Sequence, residues 1–290
     1  MTTTFAASSR HYHRKVHVFQ RDPAIVSSEC SVPATGVATP PKQDWPPLQL
    51  RRIVRSETLR PASLAPEQRS ALFDRLHAVY SETTLGLTRD QLENVLFSAD
   101  DLRLTLYYGA YGEFAGFTSI GIQCVEHEGK TVATFSPGGF LRRGYHAGVS
   151  GILFGLREAL RFKLRQPHMP LGCLVRTSSP VVYRLFARTM PRVYPNRMCR
   201  TPPDVEALVR AISAGRHYTP VGESPWVVTS VAIPRDGSRM RLLDDDPDVR
   251  FFLQLNPRFT EGEALLFWVP LNAATIAGGL YRQVRLRLGR

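Results

Sequence analysis

Apolar positions along the chain follow two periods, and the boundaries between them outline the elements. "LQLRRIVRSETL" (Leu48 to Leu59) alternates as a strand does. From Pro66 the spacing turns helical, with Leu72, Phe73, Leu76, Val79 and Tyr80 on one face. Thr88 and Gln91 form a capping box that opens a second helix running through Leu96. Three strand-like runs follow: "LRLTLYYG", "FAGFTSIGIQCVE" and "TVATFSPGGFL". The turns "AYGE" and "HEGK" lie between them and predict an antiparallel meander. Beyond "RRGYHAG", Val149, Ile152, Leu153, Leu156, Leu160 and Leu164 line one face of a long helix. "LGCLVRT" reads as a buried strand, and "SSPVVYRLFARTM" as a helix with Pro180 in its first turn. In the last 90 residues the pattern predicts a helix at "DVEALVRAISAG" and strands at "WVVTSVAI", "RFFLQL" and "ALLFWV".

These elements divide the chain into three segments. Residues 1–47 are rich in Ser, Thr and Pro without apolar periodicity, and are expected to form a disordered or loosely docked arm. Residues 48–199 carry the order β-α-α-β-β-β-α-β-α, and residues 200–290 follow as a β-rich extension. Ala264 to Leu280 is uncharged, but Pro270 and Asn272 interrupt it and it is short of the roughly 20 residues that span a bilayer. A strand at Ala264–Val269 followed by a short helix is the expectation. The basic end "YRQVRLRLGR" leaves room for peripheral contact with an anionic membrane.

Charge narrows the class of partner. Arginine and lysine number 37 against 25 acidic residues, a formal net charge of +12 that favours anionic ligands. Nucleic acid is not expected, because the sequence has no zinc spacing and no RNP-like motif. Cys30, Cys124, Cys173 and Cys199 are scattered, which implies reduced thiols, a cytoplasmic setting and no zinc site. His11, His13 and His17 lack acidic or cysteine companions, so no metal is expected.

The chemistry concentrates in "LRRGYHAG", Leu141 to Gly148, where a strand gives way to a helix. A helix N-terminus attracts phosphate, glycines admit close backbone approach, and Arg142 and Arg143 add forked donors. A basic loop without a ligand would look the same. Together with the meander before it and the β-α pair after it, this turn resembles that of the GNAT superfamily of N-acyltransferases. The resemblance covers residues 48 to 195 in element order and rests on this turn and on "SSPVVYRLFART". It implies an α/β (α+β) fold: a central mixed, mostly antiparallel sheet flanked by helices, with the C-terminal β-rich extension added.

The resemblance also implies roles. Arg142, Arg143, Gly144, Tyr145, His146, Ala147 and Gly148 would cradle the pyrophosphate of acetyl-CoA or a longer acyl-CoA, with Ser179 at the end of the next strand. Arg143 takes the leading position of the motif and Gly148 its final glycine, while His146 stands where a glycine is usual. "SPGG" (Ser136 to Gly139) would separate a pair of neighbouring strands, freeing backbone groups for the pantetheine arm; its other reading is a plain turn. Counting from Ser179, the position of the usual general-acid tyrosine is Phe186, so Tyr183 is the candidate acid or else a packing residue. No Asp or Glu occurs from Lys130 to Arg157. Candidate bases are therefore Glu128, with Glu126 and His127 beside it, Glu82, and His146. Cys173 is an acyl-accepting thiol or a small core residue. The implied activity is acyl transfer from acyl-CoA to a small-molecule or peptide amine by direct attack in a ternary complex, the acceptor lying near Ser81–Leu87 and the extension. The alternative is a catalytically degenerate protein of the same fold that binds a ligand or partner.

Overall fold

One seven-stranded sheet collects strands from almost the whole described chain. The structure is a computed structural model that describes residues 50–145, 148–235 and 245–288, with side chains except those of 148–150 and 286–288. In chain order the elements are β1 (Arg55–Leu59), α1 (Pro66–Thr83), β2 (Thr84–Leu85), α2 (Arg89–Phe97), β3 (Asp101–Tyr108), β4 (Phe114–His127) and β5 (Lys130–Leu141). Then come α3 (Gly148–Arg165), β6 (Leu171–Thr177), α4 (Pro180–Thr189), α5 (Pro203–Gly215), β7 (Val227–Thr229) and β8 (Ile233–Pro234). The chain closes with α6 (Pro247–Leu255), β9 (Glu263–Pro270) and α7 (Ala273–Leu288). The sheet runs β1-β3-β4-β5-β6-β9-β7, and β2 pairs with β8 apart from it. Every pairing in the sheet is antiparallel except that of β5 with β6.

Local chemistry accounts for the helices near the middle of the chain. The five apolar residues of α1 named above are all buried. Its face packs with Leu102, Leu104, Leu106 and Phe117 of β3 and β4. The side chain of Thr88 accepts from the Gln91 N–H while Gln91 accepts in return from the Thr88 N–H, closing the capping box of α2. On the opposite face lie α3 and α4, whose apolar residues join β6 and β9 in the larger core with Leu156, Tyr183, Phe252 and Phe267.

The structure corrects the sequence reading in three places. Of the described part of the stretch 48–59, residues 50–59, only Arg55–Leu59 is paired as a strand. "RFFLQL" is helix α6, because Asp246 caps it by accepting from the N–H groups of Asp248 and Val249, and Pro247 occupies the first turn. Asp246 also receives Arg184 of α4 at 2.5 Å, and Arg188. The extension at 200–290 is mostly helical among the described residues, through α5, α6 and α7, rather than β-rich. Strand β9 is inserted beside β6, with β7 outside it, so β7 and β9 of the seven-stranded sheet both come from this late segment. The arm at 1–47 lies outside the described residues. No described helix is long and apolar enough to cross a membrane, and Ala264–Val269 is buried strand.

Candidate functional site

Strands β5 and β6 run side by side for only three residues. Ala133, Thr134 and Phe135 pair with Leu171, Gly172 and Cys173, and there the ladder stops. Strand β5 continues through Leu141 on β4 without a shift of register, and β6 continues through Thr177 on β9. The strands therefore diverge beyond Phe135 and Cys173. An unpaired inner edge is left on each. The Ala133 N–H donates to Pro170, so alternation turns the backbone groups of residues 135, 137, 139 and 141 toward β6. Pro137 thus falls where an N–H would have no ladder partner, the position at which a strand tolerates proline. Its carbonyl and the N–H and C=O of Gly139 face the gap. "SPGG" belongs to the strand and is not a turn, and the divergence occurs with no bulge against β4.

The basic turn closes the open end of this gap. The Tyr145 N–H donates to the Arg142 carbonyl at 3.1 Å, and Gly144 between them has φ +88°. That conformation is strained for any residue with a Cβ. The Gly144 carbonyl accepts from the Arg51 N–H at 2.9 Å, tying the turn to the lead-in of β1. Tyr145 is buried with Tyr107, Ala115, Ile53 and Leu141. Its hydroxyl donates to Glu113, a bond that pushes the phenol up and holds the Glu113 carboxyl below its usual range. Tyr145 therefore anchors the turn from the inside. Arg143 is exposed. Arg142 meets Glu82 at 3.4 Å, while its buried Nε has no partner. His146 and Ala147 lie outside the described residues. Helices α3 and α4 both begin at the carboxyl ends of the diverging parallel strands, which sets two partially positive helix ends at the mouth of the gap. Ser179 stands at the second of these, accepting from the Val182 N–H at 3.1 Å through its carbonyl.

On the sheet face that carries α1, the gap acquires side-chain walls. Tyr80 packs edge-on against Phe140 of β5, ring centroids 5.0 Å apart. Its hydroxyl donates to the Leu85 carbonyl at 2.9 Å and accepts from the Leu87 N–H at 3.1 Å. Burial pushes this phenol up, and the Leu87 N–H and Arg176 of β6 oppose the rise. His77 holds the same loop, with Nε2 3.3 Å from the Leu87 carbonyl. Arg176 lies over the Tyr218 ring, Cζ to centroid 4.6 Å. Arg216, just past α5, donates to Thr134 at 2.8 Å and to Gln123 at 3.1 Å. The loop after α1 is held in turn by the late segment, since β2 pairs with β8 and the Arg235 N–H donates to the Thr83 carbonyl.

Other residues expected at the site lie elsewhere. Glu128 is at the tip of the β4–β5 hairpin with φ +50°. The whole 12-residue length of β5 separates it from Arg142, on the order of 35 Å at the rise of an extended strand. Glu126 and His127 share that end, so none of the three lies beside the turn. Tyr183 is 1% exposed, and its hydroxyl donates to the Pro195 carbonyl at 2.9 Å inside the core. Burial pushes that phenol far up, and the geometry makes Tyr183 a core residue. Phe186 packs against Phe267 at 5.2 Å. Of the candidate bases among the described residues, Glu82 lies beside the turn, where it meets Arg142.

Cys173 ends the paired stretch and is buried. Desolvation pushes its thiol up to about 12 against a weak opposing pull from Arg216. A thiol in that state is no nucleophile at neutral pH. Alkylation of the native protein at pH 8 is expected to label the exposed Cys199 and spare Cys173, as peptide mass spectrometry would show. Equal labelling of the two would contradict the burial. Tyr80, Arg176, Arg216 and Tyr218 carry no local signal as site residues, because the packing of α1 and α5 is what brings them to one face of the sheet.

No protein-family model and no curated protein matches the chain. Solved structures similar to it include a conserved protein of unknown function from Enterococcus faecalis V583, described as a probable N-acyltransferase. It is 15% identical over 47% of this chain and 33% of that one, with TM-score 0.31. A GNAT-family acetyltransferase of Streptococcus pneumoniae is 17% identical over 51% and 92% of the two chains, with TM-score 0.30. A GCN5-related glucosamine N-acetyltransferase region of a fungal multi-domain GH3 β-N-acetylglucosaminidase is 14% identical over 70% and 23%, with TM-score 0.32. The chain spans about a third of the length of the first of these and under a quarter of the third. The architecture is a mixed, mostly antiparallel sheet flanked by helices, with a diverging parallel pair that leads into a basic turn.

Proposed function

We propose that the protein is an acyl-CoA-dependent N-acyltransferase. The observation that carries this reading is the divergence of β5 from β6 beyond Phe135 and Cys173. Backbone groups inside a folded protein are ordinarily paired, and here an edge of alternating donors and acceptors is left open beside a basic turn. A pantetheine arm, with two amides in an extended chain, suits such an edge as an added strand would. The CoA pyrophosphate suits Arg143, Arg142 and the N-terminus of α3. The free edge, the described part of the turn and the start of α3 follow one another along the chain, so the residues present fit the donor.

Acyl-CoA supplies the activated thioester. The chain's role is to hold that group at the closed end of the gap, near Phe135 and Cys173, and to present an amine from the α1 side between Tyr80, Phe140 and Arg176. Proximity and orientation supply much of the acceleration in such a complex. The amine must arrive unprotonated, and its proton passes to water. Tyr80 fixes the loop Leu85–Leu87 that borders the acceptor. The setting is cytoplasmic on this reading.

Isothermal titration with CoA, acetyl-CoA and a longer acyl-CoA tests the proposal. Micromolar binding is expected, weakened about tenfold or more by Arg143→Ala, since charge-assisted contacts are worth roughly 1.5–3 kcal/mol. Absence of binding by all three would overturn it.

A further inference from the structure

Two arginines on the acceptor side of the gap carry no carboxylate partner. Arg176 and Arg216 are both half-buried. Arg176 stands on β6 three residues beyond the last pairing with β5, with its guanidinium against the flat of Tyr218. Arg216 reaches the last paired stretch from α5, bonded through Nε and Nη2 to the neutral groups of Gln123 and Thr134, while its buried Nη1 has no partner. None of the ion pairs among the described residues includes either one. Other arginines drawn into the fold do have such partners. Arg103 meets Asp101 and Glu158, and Arg184 meets Asp246.

Two half-buried cations without a counter-charge set a positive potential that favours an anion. The arrangement is a stable one when a bound anion supplies the missing charge. Stacking on Tyr218 also leaves the edge of the Arg176 guanidinium open, and that edge carries the paired donors that fit an oxyanion. Neither arginine belongs to the turn that suits the CoA pyrophosphate. Both lie on the sheet face where α1 and the loop after it border the gap.

We propose that the amine acceptor carries an oxyanion, a carboxylate or a phosphate, that Arg176 binds directly, with Arg216 adding positive charge on the same sheet face. The inference rests on the acyltransferase reading and names the acceptor class for it. A neutral amine or a polyamine would leave both cations uncompensated, and a polyamine would add repulsion. An α-amino acid, a peptide with a free carboxyl end or an aminoalkyl phosphate would balance them.

The test is acyl transfer from acetyl-CoA and a longer acyl-CoA to matched pairs of amines, read as thiol release. The pairs are the common amino acids against their amides, and phosphoethanolamine against ethanolamine. At least one acid-bearing member is expected to exceed its neutral partner roughly ten- to hundredfold in kcat/KM, the worth of a charge-assisted pair. The two sets of pairs distinguish carboxylate from phosphate. Arg176→Met is expected to raise KM for that acceptor about tenfold or more with little change in kcat, in the CoA dissociation constant or in melting temperature, and Arg176→Lys to restore some of the loss. Neutral amines used as well as acids, a KM indifferent to Arg176, or no turnover of any probe by a protein that binds CoA would overturn the inference. Failure to bind CoA would instead overturn the reading on which it rests.

Discussion

Replacing Glu158 by alanine is expected to destabilise the protein by about 3 kcal/mol, because it strands a buried cation. Glu158 is 1% exposed on α3. It receives Arg103 of β3 and, at 2.7 Å, Arg161, with Arg157 at 3.4 Å. Arg103 is itself 10% exposed in its side chain and keeps only the half-exposed Asp101 at 2.8 Å once Glu158 is gone. For a domain of this size the loss corresponds to a fall in melting temperature on the order of 10 °C. The buried pair is not itself a source of net stability, because both charges give up hydration to form it. The double replacement Arg103→Met with Glu158→Met should therefore recover most of what the single change loses. Urea unfolding of both variants checks this, and a loss under about 1 kcal/mol for Glu158→Ala would show that Arg103 relaxes toward solvent.

Gly172→Ala is expected to cost a similar amount for a different reason. Gly172 sits beside Thr134 in the short paired stretch of β5 and β6, and a methyl there would land within the ring of Trp268 on β9. Trp268 is 4% exposed, so the ring has nowhere to move without displacing the sheet. Overpacking of this kind costs typically 1–3 kcal/mol, and a rigid indole places it at the upper end, about 3 kcal/mol. Adding Trp268→Leu to Gly172→Ala opens the space again, so the two changes should be strongly non-additive in a double-mutant cycle. Additive losses would mean that the ring is not what the methyl meets.

How much of this is legible in the sequence depends on the range of the interaction that decides each feature. The capping box of Thr88 and Gln91 and the apolar face of α1 are written within a few residues, and both are readable. The meander is readable because "AYGE" and "HEGK" are local turns. "RFFLQL" reads as a strand when its apolar run is weighed without Asp246 and Pro247, which fix it as helix from just outside. The insertion of β9 beside β6 is a pairing between distant segments, and nothing near Ala264 announces it.

The site follows the same division. The turn at Arg142–Gly148 and the glycines of "SPGG" are local signals, and they point to the open end of a diverging strand pair. Pro137 holds a sharper clue: a proline inside a strand marks an edge without a hydrogen-bonded neighbour. Counting from Ser179 fixes the position of Tyr183 along its helix but not what covers it, and α6 and β9 cover it. The Arg103–Glu158 pair, 55 positions apart in sequence, and the approach of Arg176 to Tyr80 and Tyr218 need the tertiary structure to be seen.

The claim that acyl-CoA occupies the gap between β5 and β6 is tested most directly by amide hydrogen exchange of the protein with and without CoA. Protection is expected in residues 136–143 of the open β5 edge and the turn that follows it, with Gly139 the most informative amide, and at 174–177 along β6. Binding of CoA that leaves exchange across 136–143 unchanged, with protection elsewhere on the molecule, would contradict it.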